Sequence, residues 1–202
     1  YDLSRLPTRR TDEELLLGVM DVPEEQSQPT VSYYPDRDGN MAIYGTGGSG
    51  KSTTLRTIAI SAASTVRGGP VHVYGLDFGA SGLTMLEDLP HVGSIIAGDD
   101  EERVVRLLRT LRELIDDRAR EFAKHRAGSV AEYRELTGKS DTPRVLLLVD
   151  GMAAFREAYD FSNLSKWFTT FVQIATDGRQ VGVHVIVTGD RPNAIPTSLG
   201  SS

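Results

Sequence analysis

The sequence predicts an α/β fold, a mostly parallel sheet sandwiched between helices. Three observations lead there. From Met41 onward, short apolar runs alternate with longer amphipathic ones, the pattern left when each strand returns to one sheet through a crossover helix. The strand candidates are apolar along most of their length, as strands covered on both faces must be. Hydrophobic residues make up 39% of the 202-residue chain against 25% charged, enough apolar material for a packed core.

The elements follow in order. Residues 1–40 are polar and turn-rich, punctuated by Pro7, Pro23, Pro29, Pro35 and Gly39, with short runs at 14–20 and 30–34. They read as a lead-in segment packing on the core, with 41–202 forming the body of a single domain. Strand candidates lie at 41–44, 71–76, 92–96, 144–149 and 183–187, and residues 52–66 form a helix between the first two. Residues 99–126 carry the clearest helical period: Val104, Leu108, Leu111, Ile115, Ala119 and Phe122 recur at three- and four-residue steps. Asp99, Asp100, Glu101 and Glu102 stand at its start, where the helix dipole favours negative charge. Its opposite face, with Arg103, Arg106, Glu113 and Asp117, reads as solvated. Ser129 to Glu132 has capping-box spacing. In residues 163–176 the stripe Leu164, Trp167, Phe168, Phe171, Ile174 reads as core rather than as a groove for a partner.

Composition excludes several classes of chemistry. With no cysteine there is no disulfide framework, thiolate metal site or cysteine nucleophile. A net charge of -6 argues against a surface that grips nucleic acid by its phosphates, because such domains carry a basic face. The longest compact apolar run, residues 145–149, is far short of the roughly 18 residues a membrane span needs. Beginning at Tyr1 and ending in the polar stretch 197–202, the chain reads as a soluble piece of a longer protein.

One motif carries chemistry. Gly45-Thr46-Gly47-Gly48-Ser49-Gly50-Lys51-Ser52 satisfies G-x-x-x-x-G-K-[ST] directly after one strand candidate and directly before a helix candidate. Glycines let the backbone curl so that successive N–H groups converge on phosphates, and the helix beginning near Gly50 aims its positive end at them. Lys51 would bridge the outer phosphates, Ser52 would complete the coordination of a magnesium ion, and Thr53 would touch an inner phosphate. The ligand this implies is ATP with Mg2+. A second element is required, an acidic residue ending an apolar strand, which holds the magnesium. The run Val145-Leu146-Leu147-Leu148-Val149-Asp150 supplies it.

In ATP-hydrolysing relatives of this type a glutamate commonly follows that aspartate and polarises the attacking water; here the residue is Gly151. Binding rests on the loop and turnover on water positioning, so the sequence predicts Mg-ATP binding with slow hydrolysis. Replacing Gly151 with Glu is then expected not to reduce turnover. Glu157 is a weaker substitute base, reading first as a surface residue. Thr188 and Asp190, after the last strand candidate, would sense the terminal phosphate if that strand lies between the two motif strands. Asp77, ending the second strand candidate, sits where ligands of open α/β sheets gather, or else caps the following turn. His72, His91, His125 and His184 show no metal-ligand spacing, and no zinc site is expected.

With these motifs in place, the chain resembles a known family. Residues 17–26 before the loop, Gly50-Lys51-Ser52-Thr53-Thr54-Leu55-Arg56 within it, Leu89-Pro90-His91-Val92-Gly93 and Arg191-Pro192 look like FtsK/SpoIIIE-type P-loop ATPase domains. Tyr74-Gly75-Leu76-Asp77-Phe78-Gly79, residues 149–156 and Tyr133-Arg134 look like the EccC/EssC ATPases of type VII secretion. The resemblance implies a RecA-like core with the sensor strand between the two motif strands, continuing into another strand after Arg191-Pro192 that this chain does not reach. It also implies a later, second or third, domain of a membrane-anchored protein, on the cytoplasmic face and beside sibling ATPase domains in a tandem or hexameric assembly. An arginine finger would come from a neighbouring domain. Partners implied are the membrane components of type VII secretion and small helical-hairpin substrates of the WXG100 type. Two other readings share the scaffold: an FtsK-like DNA translocase, which the negative charge disfavours, and a non-hydrolysing ATP-bound interaction module.

Overall fold

A computed structural model of the chain describes residues 11–63 and 70–191. The lead-in forms β1 (Leu15–Val19) and β2 (Thr30–Tyr33), an antiparallel pair with a register shift between Leu16 and Gly18. One helical turn follows, α1 (Pro35–Asp38), opened by Pro35, whose fixed φ suits a first turn, and closed by Gly39 at φ +71°. From there the chain alternates: β3 (Met41–Tyr44), α2 (Lys51–Ala63), β4 (Val71–Asp77), β5 (Val92–Ala97), α3 (Glu101–His125), α4 (Val130–Thr137), β6 (Arg144–Asp150), α5 (Met152–Tyr159), α6 (Ser165–Gly178) and β7 (Val183–Gly189). The five core strands are all parallel, in the order β3-β7-β6-β4-β5. All five expected strands form, each within two residues of its expected bounds. The part of the second helix expected up to Val66, the tail from Pro192 onward and the first ten residues lie outside the described residues. The short helix α5 was not foreseen.

Alternation along the buried strands builds two cores. Val145, Leu147 and Val149 of β6, with Val183, Val185 and Val187 of β7, face α3, α5 and α6. Leu146, Leu148 and Ile186 face the other way, onto Leu55 and Ile58 of α2 and onto Leu15 and Tyr33 of the lead-in. Successive side chains of a strand point to opposite faces, so an unbroken apolar run is what a sheet covered on both sides requires.

The long helix is read correctly except at one position. Asp100 caps its start, accepting from Arg103 N at 3.2 Å, and Arg126 closes it in the left-handed region at φ +56°. Ala119, expected in the core stripe, is exposed, and Arg118 is buried in its place. Either residue continues the three- and four-residue spacing, and hydrogen bonding decides between them. Arg118 donates to Val181 O at 2.9 Å and Pro143 O at 2.6 Å, satisfying two carbonyls just before β7 and β6. The expected cap on α4 forms as Ser129 Oγ accepts from Glu132 N at 3.1 Å, while the Glu132 carboxylate reaches back to Gly128 N at 2.7 Å. In α6 Phe168, Phe171 and Ile174 are buried, and Trp167 lies half-buried at the margin with Lys166 and Arg109 beside its ring.

The lead-in is fastened at the end of the sheet where β6 and β7 begin. Arg144, fully buried, donates to Asp12 at 3.2 Å and to Asp36 at 2.9 Å, and Arg134 meets the same Asp12 oxygen at 2.8 Å. His184 lies 3.2 Å from the Arg144 guanidinium. Burial pushes the His184 imidazole below its ordinary value, so it is neutral at pH 7. Burial alone would raise the Asp36 carboxyl, but hydrogen bonds with His184 and Arg144 reverse this and hold it well below the carboxylate range. Both folded values are depressed, so both contributions are fully present above the unfolded values and lost as pH falls. Thermal unfolding followed by circular dichroism should therefore shift to lower temperature as pH drops below about 6.5, and further below about 4. Asp36→Asn should cost about 2 kcal/mol at pH 7, less than the roughly 3–5 of a fully buried pair because the carboxylate is partly solvated, and should flatten the lower limb.

Candidate functional site

The motif loop runs from the end of β3 to the first turn of α2. Gly48 and Gly50 adopt φ +75° and +94°, open to glycine at no steric cost, and a Cβ at Gly47, Gly48 or Gly50 would meet nothing within 4 Å. At Gly45 the reverse holds: a Cβ would fall 2.2 Å from Ser49 Oγ. The turn Ser49 N to Thr46 O and the helical bond Thr54 N to Gly50 O shape the loop into a concavity of about 250 Å³, bounded by residues 48–53 and Arg56. That is below the roughly 300–1,000 Å³ of whole-ligand pockets, a size that seats the phosphate part of a nucleotide and leaves the base outside. Thr53 is exposed at its rim and accepts from Arg56 at 2.9 Å.

Lys51 Nζ donates to Gly45 O at 2.7 Å and Thr46 O at 2.9 Å and is ion-paired with Asp190 Oδ1 at 2.9 Å. Ser52 Oγ donates to Asp150 Oδ2 at 2.5 Å, joining the loop to the aspartate that ends β6. The other oxygen of Asp150 accepts from Thr188 Oγ1 at 2.6 Å, and Thr188 accepts in turn from Gly151 N at 2.9 Å. This chain of bonds exists because β7 lies between β3 and β6, as the sensor reading requires. Thr188 and Asp190 thus divide the position: Thr188 is wholly buried against Asp150, and Asp190 is exposed beyond the strand, against Lys51.

Asp77 caps its own turn, accepting from Gly79 N at 3.1 Å and Leu83 N at 2.9 Å. The turn it holds closes over the site. A Cβ on Gly82 would lie 3.1 Å from Ser52 Cβ and 3.2 Å from Asp150 Oδ2, and Phe78 N donates to Asp150 O at 2.8 Å. Sequence reasoning missed this covering segment; the signal was Gly79 and Gly82, two glycines within five residues of the end of β4.

At Gly151, where a glutamate would be the usual successor to Asp150, the backbone itself disfavours a side chain. Gly151 sits at φ +87°, and a Cβ there would lie 3.1 Å from both C and O of Phe78 and 3.3 Å from Gly79 N. These are backbone atoms tied by the Phe78 to Asp150 bond, so they cannot swing aside as a flexible side-chain end would. Glu157, on the second turn of α5, is exposed and outside the hydrogen-bonded group around Asp150. Of the histidines, His91 contacts Ala59 O at 2.8 Å, His125 packs edge-on to Tyr133, and His184 belongs to the Arg144 cluster. Among the described residues no group of three histidine or carboxylate side chains could hold a metal by itself. The Ser52 hydroxyl and the Asp150 carboxylate are hard oxygen donors of the kind that, with phosphate oxygens, would hold a magnesium ion.

Comparison with known proteins agrees with this geometry. Residues 4–199 match the FtsK/SpoIIIE family. The type VII secretion system protein EssC of Staphylococcus aureus (strain NCTC 8325 / PS 47) is 32% identical over 186 residues, covering 92% of this chain and 12% of that protein. The ESX-1 secretion system protein EccCb1 of Mycolicibacterium smegmatis is 36% identical over 183 residues, covering 87% of this chain and 30% of that protein. The structure of ATPases 2 and 3 of Thermomonospora curvata EccC, in complex with a signal sequence peptide, superposes with a TM-score of 0.82 at 27% identity, covering 100% of this chain and 36% of that one. The chain therefore spans about an eighth and about a third of the two curated relatives. Because the match runs through the motif loop, the strand ending in Asp150 and nearly everything between, the chain belongs to the FtsK/SpoIIIE family and is homologous to ATPase domains 2 and 3 of the EssC/EccC proteins.

Proposed function

We propose that this chain is an ATP-binding domain of a type VII secretion ATPase, that it binds Mg-ATP and hydrolyses it slowly, and that it serves protein cargo rather than DNA. The observation that carries the nucleotide reading is the 2.5 Å bond between Ser52 and Asp150 at the mouth of the motif loop. It brings the hydroxyl and the carboxylate suited to one magnesium ion together before any ligand is considered. When bound, that ion would neutralise charge on the outer phosphates. The rest is done by the chain's own groups. Backbone N–H groups of residues 46–52 and the start of α2 would hold the phosphates, Lys51 would contact the outer ones, and Thr53 would face an inner one. Thr188 would act as a positioning residue, tying the Asp150 carboxylate to the Gly151 amide through its hydroxyl.

Slow turnover is supported by the absence of an acidic side chain at Gly151, at a left-handed backbone position where any side chain is strained and tightly packed against Phe78. Protein cargo is supported by the net charge of -6 and by relatives named for protein secretion. On this reading the domain works beside sibling ATPase domains in a tandem or hexameric, membrane-anchored assembly on the cytoplasmic face. Its cargo is small helical-hairpin proteins of the WXG100 type. No helix among the described residues is long and apolar enough to cross a membrane, so the reading places the anchor elsewhere in the parent protein.

Equilibrium titration with Mg-ATP should show binding that is lost in Lys51→Ala; unchanged affinity in that variant would sink the phosphate assignment. Turnover by the wild-type chain should be slow, and Gly151→Ala should lower stability by more than about 1 kcal/mol in denaturant melts, from the left-handed backbone alone. Gly151→Glu should be destabilised at least as much and should not raise turnover; a stable, faster variant would refute the steric account. In a pull-down, a helical-hairpin substrate should be retained and a copy lacking its carboxyl-terminal tail should not, whereas steep, salt-dependent capture of duplex DNA would favour a translocase.

A further inference from the structure

The ion pair between Lys51 and Asp190 bears on how the site is regulated. A lysine ammonium has three donors and no acceptor. Here two donate to carbonyls, Gly45 O and Thr46 O, and the ammonium is also ion-paired with Asp190 Oδ1 at 2.9 Å. A phosphate oxygen that takes Lys51 as its partner competes with these groups. The two carbonyls belong to the loop itself and are fixed by its fold. The Asp190 carboxylate is different in kind, because it carries the same charge as the incoming phosphate and hangs on a side chain that is 69% exposed, against 15% for Lys51. Its backbone is anchored one residue earlier, where Gly189 O accepts from Gly45 N at 3.2 Å. The side chain is thus delivered to the ammonium by the strand that neighbours the loop strand, yet it is free to rotate out into solvent.

We propose that Asp190 is a resident anionic competitor for the outer phosphates of ATP: it occupies Lys51, is expelled when nucleotide binds, and by returning favours nucleotide release. The proposal rests on the reading of residues 45–53 as a nucleotide site. It assigns Asp190 a role distinct from that of Thr188, which is spent on Asp150, and distinct from that of a metal ligand, which would strengthen binding of Mg-ATP rather than weaken it.

The test is titration of ATP into the 202-residue chain and its Asp190→Asn, Asp190→Glu and Lys51→Ala variants, at low and high salt, with magnesium and with EDTA. Asp190→Asn should bind ATP about two- to fivefold more tightly at low salt, the range of a partly exposed ion pair. The gain should persist in EDTA and shrink as salt screens the pair, while Asp190→Glu should bind like the wild type. Unchanged affinity in Asp190→Asn would overturn the proposal, and so would weaker binding seen only with magnesium, which would make Asp190 a metal ligand. If Lys51→Ala retains ATP, the nucleotide site itself is wrongly placed. If Lys51→Ala loses ATP and Asp190→Asn gains nothing, the site stands and only the competitor fails.

Discussion

A carboxylate buried at the end of an apolar strand must be given hydrogen-bond donors, and satisfying Asp150 organises the working end of this molecule. Both of its oxygens are engaged by hydroxyls, one from the loop helix through Ser52 and one from the neighbouring strand β7 through Thr188. Those two donors converge only if β7 runs between β3 and β6. Strand order, loop position and the orientation of the Ser52–Asp150 pair are therefore one structural decision. The cost of leaving either oxygen unpaired in this nearly dry position, on the order of 1–3 kcal/mol or more for a charged group, holds that decision in place.

The opposite end of the sheet obeys the same rule with different chemistry. Arg144 begins the strand that Asp150 ends, and its buried guanidinium draws in Asp12 and Asp36 from the lead-in. A buried charge of this kind is weak support for stability in itself but a strong specifier of which partners must be present. It ties residues 11–38 to the sheet, and the apolar contacts of Leu15 and Tyr33 with α2 complete the attachment. The lead-in thus packs against the helix that carries Lys51 and Ser52 at its start, which places it behind the phosphate loop rather than at its mouth.

Much of this was legible in the residues. Apolar runs bounded by glycine and proline located every core strand, because a strand covered on both faces is apolar along most of its length. The loop was legible because its function demands particular residue types at fixed spacing. What escaped were choices between positions that local pattern treats as equal. Arg118 and Ala119 both continue the helical period, and the carbonyls of Pro143 and Val181 decide for the arginine. Gly151 reads as a missing acid, whereas its left-handed backbone lies against Phe78. Its glycine identity relieves a left-handed backbone packed closely against Phe78. Gly79 and Gly82 likewise read as an ordinary turn until Ser52 and Asp150 stand against them.

By itself, the sequence determined the parallel α/β class, the phosphate loop, the aspartate that faces it and the acidic surface, because each follows from residue type and short-range spacing. Only the tertiary structure decided how those pieces meet. It set Thr188 against Asp150, Asp190 against Lys51, the covering turn at Gly82 and the left-handed backbone of Gly151 against Phe78. Each of these is a contact between residues tens of positions apart, governed by strand order and by the need to pair every buried charge. Periodicity along the chain reports which face a residue occupies, but not which distant residue shares that face.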